Sequence, residues 1–281
     1  MSKVLYKSFL SFSFILFALA SLIRTLPSSF KHTTTSASIA VGVQKPVEKI
    51  LEEISKPHKA PVYFDKDIYF FTYHYVEYVK DNNDYLRKSL NVEPHIFEEH
   101  IKLIKQKGYK DIFAKEVPNI LQNKDDKTKY VALTFDDGYK DFYEYVFPII
   151  KKYNIKVTLY VVPSFINKKD YLSYSELIEI SESNLVEIGS HGMSHSDLTK
   201  ENKEKYLQEI SESKKYLENI LKKRIYTFCY PYGRYTDDIV KTVEKNGYIA
   251  AVSTDNGYKQ NGNNLFKLQR IRAGGLVYFI K

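Results

Sequence analysis

A single cysteine, Cys229, stands among 281 residues, and tryptophan is absent. One cysteine excludes an intramolecular disulfide framework and any metal cage built from several thiolates, so a metal here must be held by histidine and carboxylate. Runs of five or more basic residues are also missing, because the 42 Lys and Arg are scattered among 34 Asp and Glu. The net charge of +8 therefore favours anionic surroundings without marking a nucleic-acid surface, and nucleic acid is set aside as a partner. Disorder over most of the length is excluded as well, since 43% of the residues are hydrophobic against 27% charged.

The stretch Phe9 to Ile23 carries no charge but is shorter than the roughly 20 residues that span a bilayer comfortably. Lys3 and Lys7 precede it, Arg24 closes it, and Ala18-Leu19-Ala20 has the small-x-small form of a cleavage site. Residues 1–26 thus read as a signal peptide or an uncleaved membrane anchor, with both alternatives open. Residues 27–60, with Ser29, Thr33 to Ser36 and Gly42, read as a linker. Residues 61–281 form the main domain, expected outside the cytoplasmic membrane and either secreted or anchored to it. A domain this large buries enough core without disulfide staples.

From residue 60 onward, short apolar runs alternate with amphipathic segments. Ile68 to Val76, rich in Tyr, Phe and Val, reads as a buried strand. Further strands are predicted at 109–113, 130–135, 157–162, 186–190, 225–230, 248–253 and 266–271. The clearest helices are Pro94 to Lys107, with Pro in the first turn and Gly108 past the end, and Asn202 to Lys222. In the latter, Tyr206, Ile210, Ser213, Leu217, Ile220 and Leu221 share one face. Strand and helix repeated this often predict an α/β fold, a parallel sheet covered by helices and either open or closed into a barrel. In both forms ligands sit at the C-terminal ends of the strands.

Three strand ends carry polar residues. Tyr130 to Phe135 runs into Asp136-Asp137-Gly138-Tyr139, where adjacent carboxylates point in different directions, so that one can bind a metal while its neighbour addresses water. The same tripeptide also suits an ordinary surface turn. Glu187 to Ser190 is followed by His191-Gly192-Met193-Ser194-His195, and histidines four apart converge on one ion if the segment turns helically. With Asp137 they make a two-histidine, one-carboxylate set with open positions, suited to Zn²⁺ or another divalent metal such as Co²⁺, Ni²⁺ or Fe²⁺. Thr227 to Tyr230 leads into Pro231-Tyr232-Gly233-Arg234, which alone reads as a structural turn.

In this order the three motifs resemble those of the polysaccharide deacetylases of the NodB-homology type, carbohydrate esterase family 4, over the chain from about Ile68 onward. Thr134-Phe135-Asp136-Asp137-Gly138 is similar to the family's first motif, His191 and His195 to its second, and Phe228 to Gly233 to its third. Phe70-Phe71-Thr72-Tyr73-His74-Tyr75 and the helix after it look like the N-terminal portion of members acting on exported GlcNAc polymers, including poly-β-1,6-GlcNAc deacetylases. The resemblance implies a distorted (β/α)7 barrel and metal-dependent removal of N-acetyl groups from an extracytoplasmic GlcNAc-containing polysaccharide, an exopolysaccharide or peptidoglycan. It implies Asp136 as general base and Asp137, His191 and His195 as metal ligands. The ion and a backbone N–H near Tyr232 would hold the oxyanion. Tyr139, Pro231, Tyr232 and Arg270 are the expected substrate contacts.

Several positions depart from the family's pattern. Where relatives carry a late Leu-x-His this chain reads Leu268-Gln269-Arg270, and no histidine follows His195. His74, at the end of the first strand, is the proton donor expected in its place. Cys229 stands where many relatives have an arginine that pairs with the base, so Arg270 or Arg234 is expected to reach in instead, Arg270 by preference. Gly192, where the family commonly has Thr or Ser, is expected to loosen the metal loop without removing a ligand. The last strand or helix is expected to be short. Two other functions compete: a catalytically silent glycan-binding domain of the same fold, and a hydrolase of small cyclic amides, which the export segment disfavours.

Overall fold

Both faces of strand Tyr130–Phe135 are fully buried, a pattern that arises when a parallel strand is covered on each side. The computed structural model, which describes residues 61–81 and 83–281, shows how the covering is achieved. The strands are β1 (Lys66–Tyr73), β2 (Lys110–Asp111), β3 (Tyr130–Phe135), β4 (Val157–Val161), β5 (Val186–Ser190), β6 (Thr227–Cys229), β7 (Ala250–Asn256), β8 (Lys259–Gln260) and β9 (Leu268–Arg272). The parallel pairings run β1-β3-β4-β5-β6-β7-β9, and β9 returns to β1, which closes the sheet into the expected distorted (β/α)7 barrel. The short β2 pairs parallel to the start of β3, and β8 lies antiparallel to the start of β1. The distortion has definite places. β5 and β6 share only the pair Ser190 and Phe228, and the register between β7 and β9 shifts between Val252 and Asn256.

Strand alternation divides the core in two. Ile68, Phe70, Ala132, Tyr160, Cys229, Val252 and Leu268 belong to the cluster inside the barrel. Phe71, Tyr73, Leu133, Phe135, Leu159, Phe228 and Ile271 belong to the outer layer, against the helices. Around the barrel lie α1 (Tyr85–Leu90), α2 (Pro94–Gln106), α3 (Val117–Gln122), α4 (Phe147–Tyr153), α5 (Tyr174–Glu182), α6 (Lys203–Leu221) and α7 (Asp237–Lys245), followed by the short α8 (Leu276–Phe279). Their starts follow capping chemistry. Pro94 opens α2, Ser173 and Glu176 form a reciprocal box at α5, and the Asn202 side chain accepts from Lys205 N at α6. On α2, Phe97, Ile101 and Ile104 are buried as their spacing predicts, and His100 is buried with them, its Nδ1 2.9 Å from Tyr73 Oη.

Element boundaries differ from expectation where pairing rather than hydrophobicity sets them. The run 109–113 yields only Lys110–Asp111, and 225–230 only Thr227–Cys229, whereas β7 continues to Asn256 beyond its apolar part. Among the described residues no helix is long and apolar enough to cross a membrane. The expected export segment and linker, residues 1–60, lie outside the described residues.

Candidate active site

Because the strands run parallel, their C-terminal ends meet at one mouth, and the polar residues that follow β1, β3, β5 and β6 meet there. A cavity of about 280 Å³ at that mouth is lined by His74, Tyr75, Asp136, Asp137, Tyr139, His191, His195, Tyr230, Tyr232 and Arg270, among others. Asp137 Oδ1 lies 3.5 Å from His191 Nε2 and 3.3 Å from His195 Nε2. The histidines do not converge through a helical turn, which corrects the expectation for residues 191–195. The segment is irregular, and Gly192 at φ 74° and His195 at φ 61° turn it instead. Asp137 also has a positive φ, 74°. Such backbone costs about 1–3 kcal/mol per non-glycine residue and persists where the surroundings enforce it.

His191 Nδ1 donates to the carbonyl of Cys229 at 2.8 Å, which leaves the Nε2 lone pair directed at the carboxylate. Burial lowers the pKa of His191 to about 3 and also lowers that of His195, so both rings are neutral at ordinary pH and able to act as ligands. Asp137 is pushed the other way, up to about 6, by burial and by the neighbouring charge of Asp136. Its Oδ1 is buried without a hydrogen-bond partner. A buried carboxylate oxygen with no donor, facing two imidazole lone pairs, fits a divalent cation.

A second trio, Asp136, His191 and Cys229, also has ligand atoms close enough to share an ion. Its chemistry disfavours one. Both Asp136 oxygens accept from Arg270 at 2.8 Å, the Cys229 thiol is pushed up by burial, and its sulfur lies 3.3 Å from the same guanidinium. An ion there would face a fixed positive charge.

Asp136 is 3% exposed, and burial alone would raise its pKa, but the Arg270 guanidinium holds it well below the usual carboxylate range. Arg270 comes from β9, and the small Cys229 side chain lies beside it, with Sγ 3.3 Å from the guanidinium. The remaining Arg270 N–H groups go to Ser253 O, Thr134 Oγ1 and Cys229 Sγ. All five donors are thus taken inside the barrel: Arg270 reaches in to Asp136 as expected, and it lines the cavity with no N–H left unpaired. Arg234 lies at the surface, paired with Asp197.

His74 is a quarter exposed, with Nε2 3.9 Å from Asp136 Oδ2. Tyr232, at φ 59° and largely exposed, places its ring 4.6 Å from that of His195. Gly233 beside it cannot carry a side chain, since a Cβ would lie 1.9 Å from Thr254 Oγ1. Tyr139 is half-buried, its ring 4.1 Å from Tyr75 and 4.9 Å from Tyr171. Pro231 is buried and opens the turn that presents Tyr232, and it is not among the residues that line the cavity.

Sequence reasoning missed Glu209. This α6 side chain is 1% exposed, and it accepts from the backbone N–H groups of Met193 and Ser194 at 2.8 Å and from Ser194 Oγ at 2.7 Å. The loop between the histidines is therefore pinned, whereas Gly192 was expected to loosen it. The signal was present: Glu209 sits three residues after Tyr206 and four before Ser213, within the apolar stripe. Asp141 was missed too. It is buried, accepts from Val76 N just beyond His74, and has its Oδ1 unpartnered.

Comparison with known proteins agrees with this geometry. The family model described as polysaccharide deacetylase matches residues 123–251. The YxkH protein of Bacillus subtilis (strain 168), named as a candidate polysaccharide deacetylase, is 32% identical over 186 residues, 66% of each chain. The chain belongs to the polysaccharide deacetylase family. A poly-β-1,6-N-acetyl-D-glucosamine N-deacetylase of Staphylococcus aureus (strain MRSA252) is 28% identical over 197 residues, 66% of this chain and 68% of that one. The chain thus spans about two thirds of the length of these relatives. The solved structure of the deacetylase PplD from Streptococcus pyogenes, in complex with acetate, matches with TM-score 0.70 and 27% identity over 79% of this chain and 100% of that one. Members of this family are hydrolases of carbon–nitrogen bonds other than peptide bonds.

Proposed function

We propose that this polysaccharide deacetylase removes N-acetyl groups from a GlcNAc-containing polysaccharide outside the cytoplasmic membrane, with a divalent ion held by Asp137, His191 and His195. The observation that carries the reading is the unpartnered Asp137 Oδ1 between two neutral imidazoles, one residue away from a carboxylate locked in its ionised form. Zn²⁺ suits this donor set, with Co²⁺, Ni²⁺ or Fe²⁺ as alternatives. When bound, such an ion supplies Lewis acidity that lowers the pKa of water and polarises a carbonyl.

The chain's own groups supply the proton chemistry. Asp136, held as the anion by Arg270, takes the proton from the attacking water. The departing amine needs a proton, and His74 is the proposed donor, since it borders the cavity and lies near Asp136. Tyr232 and Tyr139 offer ring faces to the sugar at the rim, and a backbone N–H near Tyr232 is the proposed oxyanion donor.

The polymer assignment draws on the S. aureus relative, whose name states a poly-β-1,6-GlcNAc substrate. The location outside the membrane draws on the Lys-flanked apolar stretch at residues 9–23. Amine release from β-1,4 and β-1,6 linked N-acetylglucosamine oligomers with added Zn²⁺ or Co²⁺ tests the reading. Release that requires both the ion and Asp136 is expected. No release from any oligomer despite bound ion would leave the silent glycan-binding alternative in its place.

A further inference from the structure

Beside the catalytic cavity lies a larger one, of about 750 Å³. His74, Leu90, Tyr232, Thr254 and Arg270 line both, so the two are adjoining parts of one cleft. Their chemistry differs. The smaller cavity holds two carboxylates, whereas the larger is lined by Arg234, Arg270 and Arg272 and by no acidic residue. Arg270 is neutralised by Asp136, and Arg234 is paired with Asp197. Arg272 is exposed, and among the described residues it has no hydrogen-bond or ion-pair partner for its side chain.

The placement of Arg272 follows from the strand. On β9, Leu268 and Arg270 face the barrel interior and Ile271 the outer layer. Arg272 shares the phase of Arg270, one repeat or about 6.6 Å further toward the mouth. Its register partner on β1 is Thr72. Thr72 also lines the larger cavity, and its buried Oγ1 has no hydrogen-bond partner. Adjacent strands thus bring an unpaired guanidinium and an unused hydroxyl to one wall of a cavity without acidic groups.

We infer that this cavity binds an anionic group, a carboxylate or a phosphate, carried by a sugar neighbouring the one that loses its acetyl group. The inference rests on the proposed deacetylase reading and narrows its substrate class to a GlcNAc-containing polymer with acidic substituents. A guanidinium matches either anion with two parallel N–H bonds, and Thr72 forms the wall beside it. The absence of carboxylates from the walls leaves the field of Arg272 uncancelled where the anion would sit.

The test compares three oligomers with the full Zn²⁺-loaded chain: neutral N-acetylglucosamine, one alternating with a sugar that bears an ether-linked carboxylate, and one bearing a phosphate. Amine release and equilibrium binding are both measured. At least one anionic oligomer is expected to have the higher kcat/KM, and the preferred one names the source of the charge. Arg272→Gln is expected to reduce the ratio of anionic to neutral kcat/KM about tenfold, mainly through KM, in line with loss of a charged hydrogen-bonded pair. Thr72→Val should reduce it less, in the same direction. An equal loss on neutral and anionic oligomers, or a wild-type ratio of one or below, would overturn the inference while leaving the deacetylase intact. If no oligomer releases amine, the deacetylase reading fails and binding alone decides. Tighter anionic binding that Arg272→Gln abolishes supports the cavity assignment, and binding indifferent to charge overturns it.

Discussion

The barrel buries carboxylates in two places that treat them differently. Glu187, at the N-terminal end of β5, is 3% exposed and fully used: it accepts from Lys115 N, Thr158 Oγ1 and Thr227 Oγ1 at 2.9–3.1 Å. Asp137, at the C-terminal mouth, is as deeply set but has an oxygen with no donor. Burial raises the pKa of both. What separates them is satisfaction: the protein closes the shell of Glu187 with its own groups and leaves that of Asp137 open. At Asp137 the open valence faces two imidazole nitrogens, where a cation would complete it. Asp136, one residue from Asp137, shows that the mouth can satisfy a carboxylate fully, since Arg270 closes its shell.

Substitutions can break this contrast, and the largest effect is expected at the pair of aspartates. Asp136→Asn should lower turnover by at least about 10³-fold while Zn²⁺ content stays at one per chain, as metal analysis beside amine release would show. Next comes Arg270→Met, which strands Asp136 as a buried unpaired charge. Urea unfolding should register a loss of about 3–5 kcal/mol, with turnover falling too. Removal of the loop clamp in Glu209→Gln is expected to weaken Zn²⁺ binding about 10–100-fold, because Glu209 fixes the loop that carries His195. By contrast Glu187→Gln should cost about 1–2 kcal/mol of stability and leave Zn²⁺ affinity where it was. An effect of Glu187→Gln on the ion would erase the distinction between the two ends.

The smallest effect sharpens the comparison through pH. Asp141 is pushed up to about 7 by burial and by Glu77, against the opposing pull of Val76 N–H and Arg87. Its carboxyl binds a proton more tightly folded than unfolded, so between about pH 4 and pH 7 the folded state holds the extra proton. Stability from this group is therefore present below the unfolded pKa and declines as pH rises through the folded one. Asp141→Asn should flatten that part of the curve of melting temperature against pH, and an unchanged slope would count against the assignment.

The barrel was legible because both periodicities are strong: the six residues of β3 are continuously apolar, and α2 and α6 carry apolar stripes. Closure was not, since whether β9 returns to β1 depends on twist and register that no local pattern records. The ligand set and Asp136 were readable as residue types at strand ends. Arg270 was expected both to pair with Asp136 and to contact substrate; the pairing is seen, whereas the use of its other donors depends on an inward phase and a space beside Cys229 that emerge only with the barrel. Glu209 escaped because acidic side chains on a helix are ordinarily solvated, and only the folded loop supplies the three donors that make its burial favourable.

The central claim, that the open shell of Asp137 is the cation site, is tested most directly by calorimetric titration of Zn²⁺ into the metal-stripped full chain and two variants. The account predicts one ion per chain in the wild type and in Asp136→Asn, and none bound tightly in Asp137→Asn. Loss of the ion in Asp136→Asn with retention in Asp137→Asn would contradict it and would move the ion to Asp136, His191 and Cys229.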